Sequence, residues 1–188
     1  MYLKRHFPNF ITSLRIMLAP VLVLCILENT LILALCFFAV IFMSDLVDGA
    51  LARVLDVCSK FGAKFDVIAD FIYVMSALLV LNITGLASFW ITVFVFMKFA
   101  EFAATSSLLK RYKYTSETWV FDLLGRIFAL LVMLAPGVFC FVSYYPAFMI
   151  GGVFFKVAVY TSGILSSLAR IGLCIKTANR KIQSEWSL

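Results

Sequence analysis

The chain has 188 residues, is 64% hydrophobic, and combines a mean hydropathy of +1.05 with a formal net charge of +6. A soluble domain of this length does not bury so much apolar surface, and several apolar runs are long enough to cross a bilayer. The composition therefore predicts an all-α, polytopic membrane protein with one domain over residues 1–188. The positive-inside rule accounts for the basic excess, so we expect membrane lipids and no nucleic acid as partners.

Six transmembrane helices in one bundle are predicted along the chain. They cover residues 10–27, 31–53, 62–81, 88–110, 119–141 and 147–175. The turns at 28–30, 82–85 and 143–146 contain no Lys or Arg, whereas the opposite helix ends are rich in both. Because Lys and Arg concentrate in cytoplasmic loops, we expect both termini on the cytoplasmic side of a bacterial-type cytoplasmic membrane.

The first predicted helix carries a polar strip, because Asn9, Thr12 and Arg15 recur at intervals of three residues. Two interpretations are open. Arg15 contacts a phosphate of the substrate, or Asn9 caps the helix while Arg15 extends to the lipid headgroups.

Four carboxylates lie at the facing ends of the second and third helices, within strongly apolar sequence. They are Asp45, Asp48, Asp66 and Asp70. A charge at the centre of a membrane helix costs roughly 2.5–3.5 kcal/mol on insertion scales, and such residues commonly mark function. The acids are therefore the first candidates for a functional site, and their position predicts that it faces the cytoplasm.

The spacing of these acids places them on one narrow stripe of each helix, at about 100° per residue. The stripes contain Asp45, Asp48, Gly49 and Ala52 on one helix, and Gly62, Asp66 and Asp70 on the next. Carboxylates this close repel one another unless a cation lies between them, and oxygen ligands favour Mg²⁺ or Mn²⁺. The small residues leave room for a bulky ligand near the backbone.

The pattern D-x2-D-G-x2-A-R-x8-G-x3-D-x3-D resembles the signature of the CDP-alcohol phosphotransferase family. The match is complete over Asp45, Asp48, Gly49, Ala52, Arg53, Gly62, Asp66 and Asp70. The segment 8–15, P-N-x-x-T-x-x-R, resembles the start of the phosphatidylglycerophosphate and cardiolipin synthase branches.

This resemblance implies transfer of a phosphatidyl group from CDP-diacylglycerol to a small alcohol, with release of CMP. It implies that Asp45, Asp48 and Asp66 hold metal and nucleotide phosphates, and that Asp70 completes the metal site and acts as the base. Further contacts to the nucleotide are implied for Gly49, Ala52, Arg53 and Gly62. Which acid is base and which is ligand stays open, because coupled carboxylates share their titration. The family resemblance also implies a homodimer.

The acceptor alcohol is less closely defined by the sequence. Three arginines, Arg15, Arg126 and Arg170, are candidates for binding a phosphate on the acceptor, which favours glycerol 3-phosphate. The phosphatidylglycerophosphate branch has Pro and Lys after its last two acids, but Val67 and Phe71 stand there in this chain. Inositol phosphate, serine and phosphatidylglycerol therefore stay open as acceptors.

Two further alternatives concern charges within the spans. Lys98 and Glu101 stand one turn apart, and either neutralise each other or leave Lys98 to meet a phosphate. A cation-coupled transporter is the rival class of protein. It is disfavoured because the motif acids have no matching set in the fifth and sixth spans.

Overall fold

The structure is a computed structural model that describes residues 2–54, 60–111 and 123–186. These residues form six α-helices and one short 3₁₀ helix, and contain no strands, which confirms the all-α prediction for this part of the chain. The helices are α1 (Tyr2–Leu27), α2 (Leu31–Val54), α3 (Lys60–Ile83), α4 (Phe89–Arg111), α5 (Leu123–Tyr144) and α6 (Met149–Trp186), and the 3₁₀ helix at Pro146–Phe148 precedes α6.

Four segments are long and apolar enough to cross a membrane. They are Phe65–Ile83, Phe89–Lys110, Leu123–Tyr144 and Pro146–Asn179. In α1 and α2 the described apolar segments, Arg15–Leu27 and Leu31–Ser44, are shorter. Large apolar side chains such as Ile83, Ile150 and Phe154 lie exposed on the surface, where lipid would cover them. The chain is an integral membrane protein.

The ends of α2, α3 and α4 fall within two residues of the predicted boundaries. By contrast, α1 begins eight residues before its predicted start and α6 continues eleven residues past its predicted end. Both extensions contain Lys and Arg, which end an apolar run without ending a helix, because they are good helix formers. With 38 residues, α6 is about 57 Å long, about twice the thickness of a hydrocarbon core, so it extends beyond the membrane.

The bundle is organised around α3 and α5. One side of α3 packs against α1, and α5 packs against α2, α3 and α6. Residues Tyr73, Ala77, Leu78 and Leu81 of α3 are fully or almost fully buried, and their spacing marks the face that enters the core. The remaining helix, α4, contacts α3 and α6. This arrangement leaves a space that is bordered by α2, α3, α4, α5 and α6.

Candidate active site

Two of the motif acids converge on an arginine from another helix. Asp66 and Asp70 lie one turn apart on α3, and Arg15 of α1 faces both of them. The Arg15 Nη1 atom donates to the Oδ1 atom of Asp66 at 3.3 Å and to the Oδ1 atom of Asp70. The Arg15 side chain is fully buried, whereas those of Asp66 and Asp70 are 41% and 33% exposed. Arg15 is therefore inside the bundle and does not extend to the lipid headgroups.

One oxygen of Asp66 and one of Asp70 therefore lie within hydrogen-bond distance of the same Arg15 nitrogen atom. Carboxylates held so close are stabilised by a cation between or beside them. Their all-oxygen chemistry fits Mg²⁺ or Mn²⁺. Within the described side chains no group of three or more His, Cys, Asp or Glu residues is close enough to hold a metal.

The other half of the motif cannot be compared with this geometry. Its residues lie on α2, but the surroundings of their side chains are outside the part of the chain that the structure describes. They are Asp45, Asp48, Gly49, Ala52 and Arg53. Gly62 is half-buried on α3, one turn before Asp66.

A cavity of about 330 Å³ opens beside Asp70, between α2, α3, α4, α5 and α6. Its polar and charged lining residues are Asp70, Lys98, Arg126, Ser166 and Arg170. Most of the remaining wall is apolar and includes five phenylalanines, Phe42, Phe71, Phe99, Phe102 and Phe128. A cavity of this size, mostly apolar and with a few converging polar groups, is typical of a small-molecule site.

Hydrogen bonds to α4 hold the Arg170 side chain in the wall of the cavity. Its Nε atom donates to the hydroxyl of Thr105 at 2.9 Å, and its Nη2 atom donates to the hydroxyls of Thr105 at 2.6 Å and Ser106 at 2.9 Å. The guanidinium also lies 4.7 Å from the centre of the Phe102 ring, and the residue is only 2% exposed. These contacts orient the guanidinium in the wall of the cavity.

The structure brings two of the three predicted acceptor residues together. Arg126, near the start of α5, is exposed and lines the same cavity as Arg170 and Asp70. Arg15 does not line the cavity itself, but it pairs with Asp66 and with Asp70, and Asp70 is one of the lining residues.

A second polar cluster was only partly foreseen. Lys98 donates to Glu101 Oε2 and to Ser167 Oγ, both at 3.0 Å, so the predicted pair of Lys98 and Glu101 is confirmed. Lys98 also lines the cavity, and the other interpretation, that Lys98 contacts a phosphate, stays a prediction. The roles of Thr105 and Ser167 were missed, although residues 98, 101 and 105 share one helix face that the sequence could have identified.

Residues 5–162, well over half of the chain, match the model of the family described as CDP-alcohol phosphatidyltransferase. The chain belongs to this family. The match covers α1 to α5 and the first part of α6. It thus includes the complete acid motif, Arg15 and Arg126, while Arg170 lies just beyond it.

Curated relatives carry names from the branch that the N-terminal segment resembles. A probable phosphatidylglycerophosphate synthase of Mycobacterium tuberculosis is 33% identical over 93 residues, which are 46% of this chain and 44% of that protein. A CDP-diacylglycerol–glycerol-3-phosphate 3-phosphatidyltransferase of Haemophilus influenzae is 33% identical over 94 residues, 48% of this chain and 50% of that one. A putative cardiolipin synthase of Mycobacterium bovis is 30% identical over 105 residues, 54% and 49% of the two chains. The chain thus spans about half the length of the curated relatives it matches.

Proposed function

We propose that this membrane protein transfers a phosphatidyl group from CDP-diacylglycerol to a small phosphorylated alcohol, with glycerol 3-phosphate as the first candidate, and releases CMP. One observation carries the proposal: Asp70, Arg126 and Arg170 line the same cavity. A carboxylate that can accept the proton of an attacking hydroxyl therefore borders the same space as two guanidinium groups that can bind a phosphate.

The acid motif supplies the other half of the chemistry in this proposal. Asp45, Asp48, Asp66 and Asp70 would hold Mg²⁺ or Mn²⁺, which would neutralise the pyrophosphate as its bond to CMP breaks. The close approach of Asp66 and Asp70 around Arg15 supports this role. Contacts to the nucleotide are proposed for Gly49, Ala52, Arg53 and Gly62.

The charge of the cavity favours an acceptor that carries a phosphate. Three of the charged residues that line it, Lys98, Arg126 and Arg170, are cations, and one, Asp70, is an anion. A relative named for glycerol 3-phosphate supports that acceptor. Phosphatidylglycerol is the second candidate, because a relative is named as a putative cardiolipin synthase and the cavity wall is mostly apolar.

The whole chain is proposed as one transmembrane domain over residues 1–188, with α1 and α2 also crossing the bilayer. Both termini and the acid motif would then face the cytoplasm, where the polar acceptors are found. The absence of Lys and Arg from the turns at 28–30 and 82–85 supports this orientation. Assembly as a homodimer stays a prediction from the family resemblance.

The test is CMP release by the purified protein from CDP-diacylglycerol, with Mg²⁺ or Mn²⁺ and a panel of acceptor alcohols, and identification of the lipid product by mass spectrometry. Asp66→Asn and Asp70→Asn should each reduce the rate at least about 100-fold, because a metal ligand or base is lost. Glu28→Gln, in an exposed turn, is the matched control and should retain full activity.

Three outcomes would count against this proposal. Turnover at the wild-type rate in Asp70→Asn would refute its role as the base. An absence of CMP release with every acceptor would refute the transferase. Cation flux into proteoliposomes that lack CDP-lipid would favour the transporter.

A further inference from the structure

The cluster of Lys98, Glu101 and Ser167 lies inside the membrane-spanning part of the bundle. Lys98 is only 6% exposed, and its Nζ atom donates to Glu101 Oε2 and Ser167 Oγ at 3.0 Å each. Ser167 donates in turn to Glu101 Oε2 at 2.5 Å. An ammonium has three N–H donors, so these two contacts leave one N–H of Lys98 beside the cavity that Lys98 lines.

Stacked rings show that Lys98 and Asp70 lie at the same depth in the bundle. The ring of Phe71 stacks on that of Phe99 with centroids 3.9 Å apart, and each ring belongs to the residue that follows Asp70 or Lys98. The Lys98 Nζ atom lies 5.6 Å from the centre of the Phe128 ring, which also lines the cavity. Lys98, on the α4 side of the cavity, therefore lies at the same depth as Asp70 on the α3 side.

Arg170 lies closer to the cytoplasmic end than this level. It is three residues beyond Ser167 on α6, which corresponds to about 5 Å along the helix axis. Arg170 and the Asp70–Lys98 level are therefore separated by a distance that a three-carbon chain covers. An acceptor with its phosphate at Arg170 would place its far end between Asp70 and Lys98.

We propose that Lys98 is a specificity-determining residue of the acceptor site, and that it donates a hydrogen bond to the hydroxyl beside the attacking one in a phosphorylated polyol. Glu101 and Ser167 hold its ammonium in place. The inference rests on the proposed transferase function and names the acceptor class of that site.

A purely structural ion pair explains the cluster less completely. Oε1 of Glu101 is buried and has no hydrogen-bond partner within the described residues, whereas Oε2 receives both donors. A buried pair kept for stability alone is often replaceable by apolar residues at no cost. Lys156 is the comparison residue for Lys98. Its ammonium also lies 5.6 Å from the centre of a ring, that of Phe139, but Lys156 does not line the cavity.

The test compares glycerol 3-phosphate with 3-hydroxypropyl phosphate, which keeps the phosphate and the terminal hydroxyl but lacks the middle hydroxyl. The wild-type protein should prefer glycerol 3-phosphate by about tenfold or more in kcat/KM, the usual effect of one hydrogen bond to a charged group. In Lys98→Met this preference should fall to nearly one. The KM for CDP-diacylglycerol should stay unchanged.

Two further variants separate this role from stability. Lys98→Met with Glu101→Gln removes both charges, so it avoids an unpaired carboxylate, and it should also lose the preference. Lys156→Met is the matched control and should keep it. An unchanged preference in an active Lys98→Met or double variant would overturn this inference alone. A wild-type protein that uses neither acceptor would overturn the proposed glycerol 3-phosphate activity, and the inference with it.

Discussion

Arg15 is the residue whose environment differs most from a simple membrane anchor. Its guanidinium is fully buried and faces Asp66 and Asp70, which are only partly exposed. A buried cation is costly unless it is paired, and two adjacent carboxylates are costly unless a cation is near. Each group therefore stabilises the other, and Arg15 holds both carboxylates in one place on α3.

Removing the charge of Arg15 should make the stability of the protein depend more strongly on divalent cations. Arg15→Gln should lower the free energy of unfolding by about 2 kcal/mol in EDTA. This is less than the roughly 3–5 kcal/mol expected on breaking a fully buried pair, because both carboxylates are partly exposed. Added Mg²⁺ should restore more of the Tm in Arg15→Gln than in the wild-type protein, because the ion supplies the missing charge. Thermal unfolding in detergent, with and without Mg²⁺, measures this difference.

Arg15→Lys keeps the charge and is the matched variant. It should unfold close to the wild-type temperature in EDTA. If Arg15→Gln and Arg15→Lys have the same Tm in EDTA as the wild-type protein, Arg15 does not stabilise the two carboxylates.

At the scale of single elements, α6 positions the acceptor side of the cavity. Its Gly163 packs so closely against the Phe94 and Phe128 rings that an added Cβ atom would lie 2.7 Å from Phe94 and 3.0 Å from Phe128. Phe94 also contacts the Phe128 and Tyr160 rings, so it cannot move freely. The close approach at Gly163 fixes how near α6, and with it Arg170, comes to α4 and α5.

Gly163→Ala should therefore weaken this packing by about 1–3 kcal/mol, the usual cost of forcing an extra carbon into a packed core. Because Phe128 lines the cavity, the KM for the acceptor should rise more than the KM for CDP-diacylglycerol. Gly172 lies on the same helix, and a Cβ atom added there would meet nothing within 4 Å, so Gly172→Ala should change neither KM. Equal behaviour of the two variants would show that the close approach at Gly163 does not shape the site.

For the whole molecule, the decisive property is the orientation in the membrane. In a background without the native cysteines, a membrane-impermeant maleimide should label Glu28→Cys and Ser88→Cys in intact cells, because both lie in exposed turns on the predicted outer side. It should label Lys110→Cys, at the end of α4, only after the cells are permeabilised. Labelling of Lys110→Cys in intact cells would reverse the predicted orientation.

Most helix positions and the acids that mark the site were predictable from local patterns in the chain. The length of an apolar run reflects the thickness of the bilayer, so the ends of α2, α3 and α4 were predicted within two residues. The spacing of Asp66 and Asp70 placed them on one face of α3, because helix periodicity is a local property. The start of α1 and the C-terminal end of α6 were not predicted, because a helix can continue where hydrophobicity stops.

The pairing of charges between helices became visible only in the folded bundle. Arg15 contacts Asp66 and Asp70, which are 51 and 55 residues away, and Arg170 contacts Thr105 across 65 residues. Such contacts depend on how each helix is rotated and how closely it approaches its neighbours. No local pattern records those quantities, so the sequence grouped Arg15, Arg126 and Arg170 together by their charge. Packing instead pairs Arg15 with Asp66 and Asp70, whereas Arg126 and Arg170 line the cavity together with Asp70.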